Sequence, residues 1–306
     1  MQLRKNRAHD PFCHFIRTPT DLYIPRDKMA QTTMKDFARY LLAKRGVDDR
    51  ALNRRVWGRL ERELRESPEE SLRIVDVGAG LGTGAERIAE WQLVEPLSAI
   101  RYTGVEPRRE LFEEAHLRLR SLAFPTELAA ETLEEFAAGD ENRGRFDLVV
   151  GHALLDILEL SPSLEALVGL ARPGGLLYLP ITFDGETIFE PGSSQDDAVL
   201  SAYHDTMEAS GSSRTGRRLF HALRSIPVEV LEIGSSDWIV HPTGRDYPGD
   251  EAFFLRFILS TIESGVRDRV EPSILNAWLA ERRQQLESAN LFYCAHQVDI
   301  LARRAP

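Results

Sequence analysis

From residue 72 onward, short apolar runs alternate with segments whose apolar positions recur every three or four residues. Runs of the first kind are 72–77, 101–106, 126–129, 146–150 and 171–179, each short enough for a buried strand. Between them, 83–93 and 109–121 carry helical spacing, and Glu131 to Phe136 follows the third run. Regular alternation of this kind predicts a doubly wound parallel sheet with helices on both faces. Ahead of it, 31–45 and 50–66 read as two helices. Phe37, Tyr40 and Leu41 are spaced along one face of the first, and Leu52, Val56, Trp57, Leu60 and Leu64 along one face of the second. Pro11, Pro19 and Pro25 interrupt residues 1–30, which read as irregular chain.

After the fifth run the pattern changes. Residues 180–191 are rich in turn formers and lead through a polar stretch to Ala198–Met207, which reads as a long connection of the functional kind. A helix over 213–223 follows, then a sixth strand from Val228 to Ile233 extending through Val240. Helices near 250–265 and 272–288 and a last strand at 291–301 complete the order. The expected organisation is an N-terminal lid with two helices over 1–68, then one domain over 69–306 carrying cap insertions at about 181–212 and 248–288.

At 306 residues and 42% hydrophobic content there is ample material for a core. The net charge of −10 argues against a nucleic acid partner, whose phosphates require a basic face. Cys13 and Cys294 are the only cysteines, which indicates no disulfide framework and favours the cytoplasm. No window approaches the roughly 20 apolar residues of a membrane span. Histidine or cysteine pairs at metal-ligand spacing are missing, so no metal is expected.

The chemistry is concentrated at the end of the first run, Arg73-Ile-Val-Asp-Val-Gly-Ala-Gly-Leu-Gly-Thr-Gly84. Glycines at a strand-to-helix turn accept positive φ and let a ligand approach the backbone, and the helix start offers unpaired N–H groups. Asp76, inside the strand, is poorly placed for a pyrophosphate but suits a cationic ligand. Glu106 ends the second strand in Tyr102-Thr-Gly-Val-Glu-Pro107, where a carboxylate can take both hydroxyls of a ribose.

These two motifs, with Arg145-Phe-Asp-Leu-Val-Val150 and Ala171-Arg-Pro-Gly-Gly-Leu-Leu-Tyr-Leu179, resemble the class I S-adenosylmethionine-dependent methyltransferases over residues 70 to 182. The resemblance implies a seven-stranded Rossmann-like sheet in the order 3-2-1-4-5-7-6, with its last strand antiparallel between the fifth and sixth. It also implies S-adenosyl-L-methionine as cofactor, S-adenosyl-L-homocysteine as product, and a small-molecule acceptor under the N-terminal and inserted caps. The donor site it implies comprises Asp76, Gly78, Ala79, Gly80, Gly82, Glu106 and Pro107, with Thr132 and Leu133 at the adenine edge and Gly151 and His152 after the fourth strand. Should the acceptor need deprotonation, His152 is the first candidate base, followed by Asp184, Tyr203 and His204; His14 and Tyr23 belong to the expected lid.

Two other readings stay open. Gly80-Leu-Gly-Thr-Gly-Ala85 also satisfies the Gly-x-Gly-x-x-Ala fingerprint of nicotinamide-dependent oxidoreductases, with Glu106 placed as its ribose acid. Asp76 and the Arg-Pro-Gly-Gly turn argue against it. The third reading is a protein that binds S-adenosylmethionine without turnover.

Overall fold

A computed structural model describes residues 33–66, 71–208 and 211–306. The expected lid, with His14 and Tyr23, lies outside the described residues. Eight strands form one sheet: β1 (Leu72–Val77), β2 (Ile100–Val105), β3 (Thr126–Ala129), β4 (Phe146–Val150), β5 (Ala171–Glu190), β6 (Val228–Ser235), β7 (Trp238–Val240) and β8 (Phe292–Arg304). Their order is β3-β2-β1-β4-β5-β8-β6, and the short β7 pairs with β8 beyond β6. The first five strands are parallel, and β8 runs antiparallel between β5 and β6. With β7 counted as the continuation of β6, this is the seven-stranded order expected from the sequence.

The ten helices described are α1 (Met34–Ala51), α2 (Arg54–Arg65), α3 (Thr83–Glu90), α4 (Phe112–Leu119), α5 (Leu133–Ala138), α6 (Leu160–Leu170), α7 (Asp196–Met207), α8 (Thr215–Arg224), α9 (Glu251–Val266) and α10 (Pro272–Glu287). Two apolar clusters flank the sheet. One joins β1, β2 and β5 side chains to α1, α2, α9 and α10; the other joins the opposite face to α5, α6 and α8. The apolar helix at 253–259 and Trp238 belong to the core, with Phe254 and Leu255 fully buried.

The expected long connection after residue 179 is not a loop as far as Glu190. Pro180 and Gly185 read as turn residues, yet β5 continues through both, pairing with β8 on either side of two register shifts. At the first shift Ile181 takes φ +58, a conformation unfavourable for a β-branched residue. Its N–H donates to the buried Asp299 carboxylate at 2.8 Å, and the other oxygen of Asp299 accepts the Asn53 N–H at 2.8 Å. One carboxylate in β8 therefore fixes both the bulge in β5 and the start of α2.

The first helix also departs from expectation, running to Ala51 rather than ending at 45. Thr33 and Asp36 form a capping box at its start. Its buried stripe is Phe37, Tyr40, Ala43, Lys44, Val47 and Asp48, so a lysine and an aspartate one turn apart occupy core-facing positions. Tyr40 stacks on Phe254 and Phe257 of α9, with ring centroids 5.8 and 4.0 Å away. Arg39 grips Asp250 through two 2.7 Å hydrogen bonds, and Arg45 reaches Glu86 of α3 at 2.9 Å. These contacts hold α1 across the carboxyl ends of the central strands.

Candidate active site

Ligands of open α/β sheets bind beyond the carboxyl ends of the strands, and a cleft opens there between the β1–α3 turn and α1. Asp76, Gly78, Ala79, Gly80, Thr83, Gly84 and Arg87 form one wall; Phe37, Tyr40, Leu41, Lys44 and Asp48 form the other; His152, Ala153, Leu154 and Ile157 close the β4 end. Gly78, Gly80 and Gly82 have φ of +77, +55 and +78. Gly82 is the N-cap of α3, and a Cβ there would meet Leu119 Cδ2 at 2.7 Å, so the turn demands glycine for space as well as for conformation.

Asp76 is buried under this turn. Its Oδ2 accepts the Tyr102 hydroxyl at 2.7 Å, whereas Oδ1 has no hydrogen-bond partner. Burial raises its carboxyl to about 6, opposed by the Tyr102 bond and by the charge of Arg87. Glu106, just past β2, is fully buried. It accepts the Gly80 N–H at 3.2 Å, the Arg108 N–H at 3.0 Å, and the Arg108 guanidinium at 2.6 and 3.1 Å. Those four donors fill the acceptor capacity of a carboxylate. Arg108 in turn lies over the Phe37 ring at 4.5 Å, which links the β2 acid to α1.

On the opposite wall Asp48 gathers three donors. Lys44 Nζ donates to Oδ2 at 2.5 Å, His152 Nε2 lies 3.0 Å from the same oxygen, and Trp238 Nε1 donates to Oδ1 at 2.8 Å. Burial alone would raise this carboxyl, but the Lys44 and His152 charges and bonds hold it well below the usual carboxylate range. His152 is lowered to about 4. Burial is the main cause, Lys44 and Arg87 add to it, and Asp48 opposes it.

The structure thus brings Asp76, Gly78, Ala79, Gly80 and His152 together around one cleft. Gly82 shapes the turn, and Glu106 sits behind Gly80 with half-buried Pro107 after it. Thr132 caps α5 by accepting the Glu135 N–H at 3.2 Å, and Leu133 is buried beside it. Gly151 directly follows β4, its N–H donating to the Tyr178 carbonyl at 3.0 Å. Asp184, Tyr203 and His204 lie elsewhere. Asp184 accepts the Arg217 N–H and Nε–H at 2.9 Å at the start of α8, and His204 on α7 contacts Thr187 Oγ1 at 3.1 Å. None of the three lines the cleft.

Sequence reasoning missed Lys44, Asp48 and Arg87. The signal for the first two was present: charged residues at 44 and 48 continue the apolar stripe of Phe37, Tyr40 and Val47. Among the described residues no group of three or more His, Cys, Asp or Glu side chains could hold a metal, and no helix is long and apolar enough to cross a membrane.

No family model matches the sequence. Among solved structures, a protein of Bacillus halodurans C-125 classed provisionally as a methyltransferase aligns over 81% of this chain and 100% of its own, at 10% identity and a TM-score of 0.50. The fold is that of the class I methyltransferases. Other structures that align include the plantazolicin methyltransferase BpumL in complex with S-adenosylhomocysteine. It is 13% identical over 94% of each chain, with a TM-score of 0.48. Phosphoethanolamine N-methyltransferase 2 of Haemonchus contortus, also in complex with S-adenosylhomocysteine, is 14% identical over 92% of this chain and 60% of its own, with a TM-score of 0.48. In the class I methyltransferase sheet seen here, the cleft lies at the β1–β4 boundary, where the strand order reverses.

Proposed function

We propose that this chain is a cytoplasmic S-adenosylmethionine-dependent methyltransferase acting on a small-molecule acceptor. The observation that carries the reading is the pair of buried acids at the carboxyl ends of β1 and β2, one of which, Asp76, has an unpartnered oxygen beneath a turn of positive-φ glycines. A buried carboxylate oxygen without a donor is costly unless a ligand supplies one, and the ammonium of an amino acid moiety is such a donor.

The residues fit this cofactor. Gly78 and Gly80 present backbone without a Cβ, Asp76 would take the cationic end, and Glu106 would take the ribose hydroxyls in exchange for the Arg108 guanidinium. Thr132, Leu133, Gly151 and His152 are assigned to its edges by the resemblance of the motifs. Bound there, the cofactor supplies an electrophilic methyl group on a sulfonium. The protein's part is to align an acceptor with it and exclude water, which is the main source of acceleration in a displacement of this kind. The Phe37, Tyr40 and Leu41 face of α1 forms an apolar wall suited to a small acceptor. Asp184, Tyr203 and His204 remain candidates only through a rearrangement that brings α7 and the end of β5 to the cleft.

Calorimetric titration with S-adenosylhomocysteine, and separately with NAD, tests the reading. Micromolar binding of S-adenosylhomocysteine is expected, weakened on the order of 10- to 100-fold by Glu106→Ala, since hydrogen bonds to a charged group contribute about 1.5–3 kcal/mol. Binding of NAD, or of neither ligand, overturns it.

A further inference from the structure

We infer that Arg108 is a built-in stand-in for a ribose diol: its guanidinium occupies the Glu106 carboxylate until a nucleoside with two vicinal hydroxyls replaces it, so that Arg108 selects the ligand and ties its binding to α1. The inference rests on the methyltransferase reading and deepens it.

Its basis is how the donors are shared between the two oxygens of a fully buried acid. Oε1 of Glu106 accepts the Arg108 backbone N–H at 3.0 Å and its Nε–H at 2.6 Å. Oε2 accepts the Gly80 backbone N–H at 3.2 Å and the Arg108 Nη2–H at 3.1 Å. Each oxygen therefore has one backbone donor and one guanidinium donor. The backbone pair holds the carboxylate in place whatever the guanidinium does. The guanidinium pair is a parallel fork with one bond to each oxygen. A vicinal diol donates in the same way, one O–H to each oxygen, so the two occupants exclude each other.

That exclusion discriminates between ligands. A diol restores both of the bonds that the guanidinium gives up, and a single hydroxyl restores one. A nucleoside with neither must leave Arg108 in place or leave a buried carboxylate short of donors, which is costly. Release is open to Arg108, which lines the cleft and whose side chain is 31% exposed, so it has solvent to move into. What it then leaves is the Phe37 ring, over which it lies at 4.5 Å. Phe37 is in the first turn of α1, buried, and packs against Tyr40 and Phe257 with ring centroids 6.1 and 6.3 Å away. The guanidinium is thus a tie between the acid at the end of β2 and the α1 wall of the cleft, and a diol cuts it.

Calorimetry on the intact protein compares S-adenosylhomocysteine with its 2′,3′-dideoxy analogue. An arginine that only lined the pocket would lose affinity when truncated; one that competes for the acid should gain it. With the tied state about ten times as populated as the free one, Arg108→Ala should tighten S-adenosylhomocysteine about 10-fold. The dideoxy analogue should show no gain, and in a Glu106→Ala background Arg108→Ala should add nothing. Nitrogen-15 NMR of the arginine Nε–H groups, with Arg108→Lys to assign the signal, reads the tie in the wild-type protein. A slowly exchanging Arg108 signal is expected, moving to the position of a solvated arginine with S-adenosylhomocysteine and staying put with the analogue. Should Arg108→Ala fail to fold, Arg108→Lys keeps the charge without the fork and should still tighten S-adenosylhomocysteine, by about 3-fold. Unchanged or weaker binding of S-adenosylhomocysteine in the variant that folds, an equal gain for the dideoxy analogue, or an Arg108 signal that S-adenosylhomocysteine does not move overturns the inference and leaves the methyltransferase reading intact. If S-adenosylhomocysteine binds neither the wild-type protein nor the variant, the methyltransferase reading falls and this inference with it.

Discussion

The two walls of the cleft bury an aspartate each, and the two carboxyls respond in opposite directions. Asp48 and Asp76 are 4% and 3% exposed, so desolvation penalises their charged forms similarly. Asp48 faces Lys44, His152 and Trp238 and is held well below the usual range; Asp76 has the Tyr102 hydroxyl as its one hydrogen-bond donor, and burial outweighs that bond and the charge of Arg87, so it rises to about 6. Depth of burial does not decide the charge of a buried acid; the number and sign of its donors do. One wall is already satisfied by its own chain, and the other lacks a donor.

The largest disturbance of this contrast comes from removing the satisfied acid. Asp48→Ala leaves Lys44 buried without its counter-ion and strips Trp238 Nε1 of its acceptor, so urea unfolding should show a loss of about 3–5 kcal/mol. Asp76→Asn should act through pH. The Asp76 carboxyl titrates higher in the folded protein than in the unfolded chain, so the folded state binds the extra proton and wild-type stability falls as pH rises from about 4 to about 6. The asparagine variant lacks that fall, and between pH 4 and 7 it should gain roughly 2–2.5 kcal/mol on the wild type, at about 1.4 kcal/mol per pKa unit. A gap of constant size at both pH values would show that Asp76 is ionised throughout. Trp238→Phe deletes one donor to Asp48 and should lower stability by about 1–2 kcal/mol in the same assay. Tyr102→Phe should have the smallest effect, about 1 kcal/mol, while sharpening the contrast: with its single donor gone, the Asp76 carboxyl should titrate higher still, as followed by carbon-13 NMR of the side chain.

How much of this was legible in the chain differs between the walls. The bounds of β1 and β4 followed from apolar runs, because central parallel strands are short and buried on both faces, those of the edge strand β3 from its place in the alternation, and the sheet order from the resemblance of the motifs. The glycine turn and the positions of Asp76 and Glu106 are local features within a few residues of one strand end. The other wall is not local. Asp48 meets His152 across 104 residues and Trp238 across 190, and nothing in the neighbourhood of any of the three reports the others. What was readable was Lys44 and Asp48 on an apolar stripe, a polar intrusion that needs a buried partner. The continuation of β5 past Pro180 was hidden for a different reason: its bulge is held by Asp299 of β8, far along the chain, whereas proline and glycine in sequence signal only a turn.

The place of β8 also shapes how the protein can assemble. A strand that lies between β5 and β6 but follows both in the chain leaves two unpaired sheet edges until Phe292 and the residues after it have left the ribosome. Asp299, which anchors Ile181 and Asn53, arrives with it. A nascent chain halted before that point carries open edges and an unanchored bulge, the kind of surface that recruits chaperones or aggregates. Completion of the sheet is thus a late event in synthesis, and the earlier glycine turn cannot be framed by its full sheet until then.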